Sequence, residues 1–219
     1  MTLRVLHVDD EPDIREVVEM SLGLDPSLAL RSVSSGNDAL DEVEFWAPDL
    51  ILLDVMMPVM DGPATLVRLR ETPQSAAIPV VFMTARAQTR ELEHFRSLGA
   101  AGVIAKPFDP MTLAVSVRSY LKATKLNELR SAFLERARCD AVFLGAKRTL
   151  LEGADDRAAL AAIKSVAHGL AGASGIYGLD AMGREAAAVE TAVDAAIEGD
   201  DRSALAHALD RLLACIAES

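Results

Sequence analysis

Proline is missing from the second half of this chain: all nine lie at or before Pro110, and residues 111–219 have none. A stretch rich in Ala and Leu and free of proline holds nothing that breaks a helix, so it reads as all-helical. The 219 residues then read as two domains, each long enough for its own core. Cysteine is scarce as well. Cys139 and Cys215 are the only two and have no metal-type spacing, which excludes a disulfide framework and suits a reducing compartment. Basic charge is in the minority, with 22 Lys and Arg against 33 Asp and Glu and a formal net charge of −11. Residues 1–122 carry 11 basic and 18 acidic groups and residues 123–219 carry 11 and 15, so neither part offers a duplex-binding surface, and no nucleic-acid partner is expected. No apolar run reaches bilayer-spanning length and the N-terminus lacks a signal-peptide pattern, so a cytoplasmic protein without membrane insertion is expected. No internal repeat or glycine-rich P-loop occurs, so no ATP-using kinase activity is expected.

What is present in the first half is an alternation. Short apolar runs recur as "LRVLHV", "LALRSV", "DLILLDV", "IPVVFMT" and "AGVIAK", separated by helix-periodic segments such as "IREVVEMSLGL" and "LVRLR". That order predicts an α/β doubly wound sheet of about five parallel strands, with ligands at the carboxyl ends of the strands.

Those ends carry Asp9 and Asp10 after the first strand, Asp54 closing the third, Thr84 after the fourth and Lys106 after the fifth. Three carboxylates brought together repel one another unless a hard cation such as Mg²⁺ neutralises them. Asp54 can then attack phosphorus while the metal, the Thr84 hydroxyl and the Lys106 ammonium neutralise the transferring oxygens. The plainer alternative makes Asp9, Asp10 and Asp61 caps or turn formers, with "MDGP" at 60–63 a turn and with His7 and His94 structural.

With "VDDE" at 8–11, "LLDVMMPVMDG" at 52–62, "MTA" at 83–85 and "KPF" at 106–108, residues 3–122 resemble the flavodoxin-like receiver domain of two-component response regulators. The resemblance implies Asp54 as phosphoacceptor, self-phosphorylating with Mg²⁺ from a phosphohistidine donor. It also implies Asp9 and Asp10 as the acidic metal site, Thr84 as the switch hydroxyl and Lys106 as the phosphoryl partner. It further implies a metal contact from the backbone carbonyl of Met56 and a cis bond at Lys106–Pro107. Val103 departs from the pattern, standing where the family commonly has an aromatic that reports phosphorylation. A hydrolase with an aspartyl nucleophile would need an acid two residues after Asp54, and Met56 is there instead.

From Met111 to Leu144 there is neither proline nor glycine, so the last helix of the first domain is expected to run on into the second and fix the two sites relative to each other. Transfer is therefore expected mainly between proteins. Segments 129–152, about 155–173 with Asp155 or Asp156 as cap, 179–199 and 201–218 predict a four-helix bundle. Leu179, Met182, Ala186, Val189, Val193 and Ile197 form the apolar stripe of the third, and His207 is read as a rim residue of the fourth.

Within that bundle, "VAHGLAGASGIYGLD" surrounds His168 with Gly169, Gly172 and Gly175, although each glycine costs a helix about 1 kcal/mol relative to alanine. At about 100° per residue, Ile163, Val166, Leu170 and Tyr177 share one face and His168 lies opposite, toward solvent. The missing side chains leave room for a partner surface at the imidazole, which is a competent nucleophile toward an aspartyl phosphate.

On "AHGLAGASGIYG", with Val189–Glu190 and "EGD", residues 125–219 resemble the histidine phosphotransfer (HPt) domain. The resemblance implies His168 as phosphoacceptor, with another receiver domain docking at its face. Ala171 replaces the family's usual lysine, and Lys164, one turn before His168, is the candidate to supply that charge. The whole reads as a phosphorelay protein, a receiver at 1–122 and an HPt bundle at 123–219, charged by a histidine kinase or phosphotransfer protein. The alternative is a phosphorylation-gated interaction module in which His168 carries no phosphate.

Overall fold

Side-chain alternation along the strands decides how the first half is layered. The computed structural model describes residues 2–85, 89–150, 157–199 and 202–219. The strands are β1 (Leu3–Val8), β2 (Leu28–Val33), β3 (Leu50–Asp54), β4 (Val80–Thr84) and β5 (Gly102–Ala105). All pair in parallel, in the order β2-β1-β3-β4-β5. With a period of two, Leu6, Val8, Ile51, Leu53, Val80 and Phe82 face one layer, and Val5, Leu50, Leu52, Val81 and Met83 the other.

The first layer is closed by α2 (Gly36–Trp46), α3 (Gly62–Glu71) and α5 (Thr89–Ser97), through Val43, Leu66, Leu69 and Phe95. A one-turn helix α4 (Pro73–Ala76) follows α3. The second layer is closed by α1 (Pro12–Gly23) and the start of α6 (Pro110–Leu150), through Val18, Leu22, Leu113 and Val117. Both faces are covered, which is why β3 and β4 read as continuous apolar runs. Order 2-1-3-4-5 leaves a crevice outside the carboxyl ends of β1 and β3, where the chain switches sides.

Two close approaches hold this frame. A Cβ on Gly62 would lie 2.3 Å from the Asp54 carbonyl, so only glycine lets the start of α3 press against the end of β3. A Cβ on Gly102 would meet the Tyr120 ring at 2.1 Å, and the Tyr120 hydroxyl donates to the Val103 carbonyl at 3.0 Å. The Lys106–Pro107 bond is cis.

The chain divides into two units, Met1–Lys125 and Leu126–Ser219, and α6 is one helix across that boundary. In the second unit, the later part of α6 is joined by α7 (Arg157–Ser174), a 3₁₀ turn (Gly175–Tyr177), α8 (Asp180–Glu198) and α9 (Arg202–Ala217). Their shared core contains Phe133 and Leu144 of α6, Leu160, Ile163 and Leu170 of α7, Met182, Val189 and Val193 of α8, and Leu205, Leu209 and Leu212 of α9. Burying one such Leu or Ile side chain stabilises the bundle by roughly 1.5–3 kcal/mol.

Two expectations change. Ile197 does not complete the α8 stripe: it is exposed and Ala196 takes the core position, because Met182, Val189 and Ala196 keep a strict heptad spacing against the neighbouring helices and Ile197 falls one residue beyond it. The segment Arg157–Tyr177 is also apolar and long enough, by length and composition, to cross a bilayer, at a mean hydropathy of 1.2. Its apolar side is the core stripe just named, and its other side carries Lys164 and His168. Asp155 and Asp156, the candidate caps of α7, lie outside the described residues.

Candidate functional site

The crevice at the ends of β1 and β3 gathers most of the expected polar residues. Asp9, just past β1, and Asp54, closing β3, are both buried, and Lys106, just past β5, reaches between them. Its Nζ donates to Asp9 Oδ2 at 2.6 Å and to Asp54 Oδ1 at 2.5 Å. The other oxygens take backbone donors: Asp9 Oδ1 from the Glu11 N–H at 3.0 Å, and Asp54 Oδ2 from the Met56 N–H at 2.7 Å. Thr84 is buried at the end of β4, its carbonyl accepting from the Lys106 N–H at 2.7 Å. Asp10 is half-buried at the rim, and Arg15 Nη1 ties the carbonyls of Asp9 and Asp10 to α1 at 2.8 and 3.0 Å.

Electrostatics follow from two carboxylates sharing one ammonium. Burial disfavours charge on Lys106, but its hydrogen bonds to Asp54 and Asp9 and their charges outweigh that and hold its pKa above the ordinary value. Burial raises Asp54, opposed by Lys106 and aided by the charge of Asp9. One excess negative charge remains in a desolvated place, which is the setting that attracts a hard cation.

Among the described residues no three His, Cys, Asp or Glu side chains stand close enough to enclose an ion by themselves. The three carboxylates expected to gather are thus not brought together as one cluster: Asp9 and Asp54 share Lys106, and Asp10 stays at the rim. The Met56 residue is 80% exposed.

Asp61 is placed elsewhere. Its carboxylate caps α3, accepting from the Ala64 N–H at 2.8 Å, so the plainer cap reading holds for it. His94 is exposed on α5. His7 is fully buried in β1 with Nε2 3.8 Å from Asp9 Oδ2, and desolvation pushes its pKa down to about 4. Val103 packs against the α2–α3–α5 layer.

In the second unit His168 lies on the outer side of α7, its side chain 80% exposed. A Cβ added to Gly169, Gly172 or Gly175 would meet nothing within 4 Å, so packing within the chain does not require these glycines. The partner of His168 comes from α8: Glu190 Oε2 is 3.0 Å from Nδ1. Nδ1–H donation to that carboxylate leaves the Nε2 lone pair facing solvent. The sequence placed Glu190 beside the apolar stripe and gave it no role, since helix phase alone does not say which residues of α7 and α8 meet. Lys164 pairs with Asp194 of α8. His207 is exposed and its Nδ1 lies 2.7 Å from the Ser203 carbonyl.

The family model of the response regulator receiver domain matches residues 5–118, and that of the Hpt domain matches residues 124–218. The chain belongs to the response regulator receiver family. Its receiver is followed by an Hpt domain, a pairing that indicates two-component phosphorelay signalling. The response regulator Rre1 of Synechocystis sp. is 35% identical over 119 residues, covering 54% of this chain and 52% of that protein. The transcriptional regulatory protein DltR of Streptococcus agalactiae is 33% identical over 131 residues, covering 58% and 57%. The chain thus spans about half the length of the curated relatives it matches.

Among solved structures, chemotaxis protein CheY4 of Vibrio cholerae superposes with a TM-score of 0.52 at 28% identity, covering 55% of this chain and 99% of that one. The signal receiver domain of a signal transduction histidine kinase from Syntrophus aciditrophicus gives 0.50 at 30% identity, covering 56% and 92%.

Proposed function

We propose that the receiver, residues 1–122, accepts a phosphoryl group on Asp54, and that the Hpt bundle, residues 123–219, carries one on His168 in exchange with another receiver domain. The observation that carries this reading is Lys106 Nζ held within hydrogen-bond distance of both Asp9 and Asp54 at the ends of three strands. An Asp54 oxygen attacks the phosphorus of a phosphohistidine, the P–N bond breaks, and the donor imidazole leaves with the electron pair and takes up a proton. Lys106 and the Thr84 hydroxyl neutralise the transferring oxygens, worth several kcal/mol in a desolvated site. Mg²⁺, held by Asp9, Asp10, Asp54 and the Met56 carbonyl, would supply further charge neutralisation.

At His168, Nε2 attacks the phosphorus of an aspartyl phosphate, the P–O bond to the acyl group breaks, and the carboxylate leaves. Glu190 holds the Nδ1 proton and steadies the imidazolium that forms. Lys164, released from Asp194, is one turn away and can turn to the phosphoryl oxygens in place of the lysine that Ala171 replaces. The open space over Gly169, Gly172 and Gly175 supports docking of a receiver there. A soluble, cytoplasmic protein served by a histidine kinase or phosphotransfer protein completes the reading.

A second reading, a gated interaction module without phosphate on His168, is favoured by the pairing of Lys164 with Asp194 beside Ala171. The experiment adds phosphorylated receiver and Mg²⁺ to an Asp54→Ala chain and locates the acquired phosphate by mass spectrometry. Phosphate on His168 is the expected result. No phosphate, with a donor competent on a control Hpt domain, selects the second reading.

A further inference from the structure

Two buried polar side chains beneath the acidic pocket have no part in the chemistry above. His7 is fully buried and neither ring nitrogen has a hydrogen-bond partner. Ser32 Oγ, also buried, has none either. The parallel register sets His7 of β1 directly beside Ser32 of β2, with both side chains on the same face of the sheet. His7 Nε2 stops 3.8 Å from Asp9 Oδ2. That is too long for a direct hydrogen bond and suited to one bridged by a water molecule.

Buried polar groups in folded proteins are almost always paired with protein or ordered water, and a buried water takes two to four polar partners. We propose that His7 and Ser32 hold one buried water against Oδ2 of Asp9, which makes them positioning residues for the carboxylate that holds Mg²⁺. The imidazole N–H donates to the water, the Ser32 hydroxyl adapts as donor or acceptor, and the water donates to Asp9. Asp9 Oδ1 is held by the Glu11 N–H and Oδ2 by Lys106 Nζ, so the water is a second donor to Oδ2, from the β2 side, that holds the carboxylate in place when a cation draws Oδ2 away from the lysine. The β2 strand thereby bears on the pocket through a side chain as well as through its backbone, where the Val33 carbonyl accepts from the Asp9 N–H at 3.2 Å. This rests on the reading of Asp9 as a metal ligand.

The test uses the full unphosphorylated chain and three variants, measuring Mg²⁺ affinity by calorimetry and unfolding by urea. Removing a residue that orients a metal ligand lowers affinity about 10–100-fold, and a water-mediated link belongs at the lower end. His7→Leu, which deletes both unpartnered nitrogens, is expected to be at least as stable as the parent and to bind Mg²⁺ about 10-fold more weakly. Ser32→Ala moves affinity the same way by a smaller factor, and His7→Gln, which keeps an N–H, recovers part of the loss. A crystal structure is expected to show a water within hydrogen-bond distance of His7 and Ser32.

Parent-like Mg²⁺ affinity in both His7→Leu and Ser32→Ala overturns the role of these residues and leaves Asp9 as a ligand. If His7→Leu does not fold, parent-like affinity in Ser32→Ala alone overturns it. A parent chain that takes up no Mg²⁺ overturns the metal reading itself, and this proposal with it.

Discussion

Glu190 of α8 holds Nδ1 of His168 of α7 at 3.0 Å, across two helices that contribute to one core. The carboxylate is mostly covered while the imidazole is exposed, so one ring nitrogen is committed to the fold and the other is presented outward. Glu190→Ala is expected to slow phosphate acceptance by His168 about 3–10-fold, in keeping with an ion-pair contribution of about 1 kcal/mol at an exposed position. Glu190→Gln, whose amide oxygen still accepts from Nδ1–H, should recover most of the rate. Transfer from a phosphorylated receiver, timed for the three proteins, checks the order; equal rates for Ala and parent would remove Glu190 from the mechanism.

Lys106 is the counterion of two buried carboxylates, and removing it leaves them facing each other. Lys106→Met is expected to lose about 3 kcal/mol of stability without divalent ions, as for other buried pairs broken on one side. Mg²⁺ should restore a large part of that loss and not the phosphorylation of Asp54. Urea unfolding with and without Mg²⁺ is the measurement, and a loss that Mg²⁺ does not touch contradicts the arrangement.

His7 makes stability depend on pH. Burial lowers its pKa from 6.5 to about 4, so between those values the unfolded chain binds the proton and the folded chain does not. The contribution is complete above pH 6.5 and is lost as pH falls toward 4, roughly 3 kcal/mol over the window. Comparing parent and His7→Leu at several pH values isolates it: the parent should lose more stability on acidification, and parallel curves would refute the burial argument.

Val59 sits at φ 68° with its side chain fully exposed, and the Met60 N–H donates to the Pro58 carbonyl at 2.7 Å. A β-branched residue in a tight turn of this hand is strained by about 1–3 kcal/mol. Val59→Gly is expected to gain about 1 kcal/mol, less than the strain because glycine also frees the unfolded chain. A thermal melt that falls on this substitution would show that the exposed side chain is held by contacts outside the turn.

Much of this protein is legible in the chain itself. The strand runs of β3 and β4 are apolar because both faces of a parallel sheet are covered, and that covering writes itself into composition. Asp9, Asp54, Thr84 and Lys106 were found because strand ends of such a sheet converge at one edge, so their order along the chain already implies their company. His168 was placed on an outer face by helix phase alone, since 3.6 residues per turn fixes which side is apolar.

Tertiary structure decided what depends on distances between elements. Glu190 became the partner of His168, and Lys164 the partner of Asp194, only through the packing of α7 on α8. His7 and Ser32 met through strand register, which no single-strand pattern records. Asp61, equal in type to Asp9 and Asp54, became a helix cap because its backbone lies at the start of α3 and outside the crevice. Local periodicity states which way a side chain faces, and only the packed chain states what it faces.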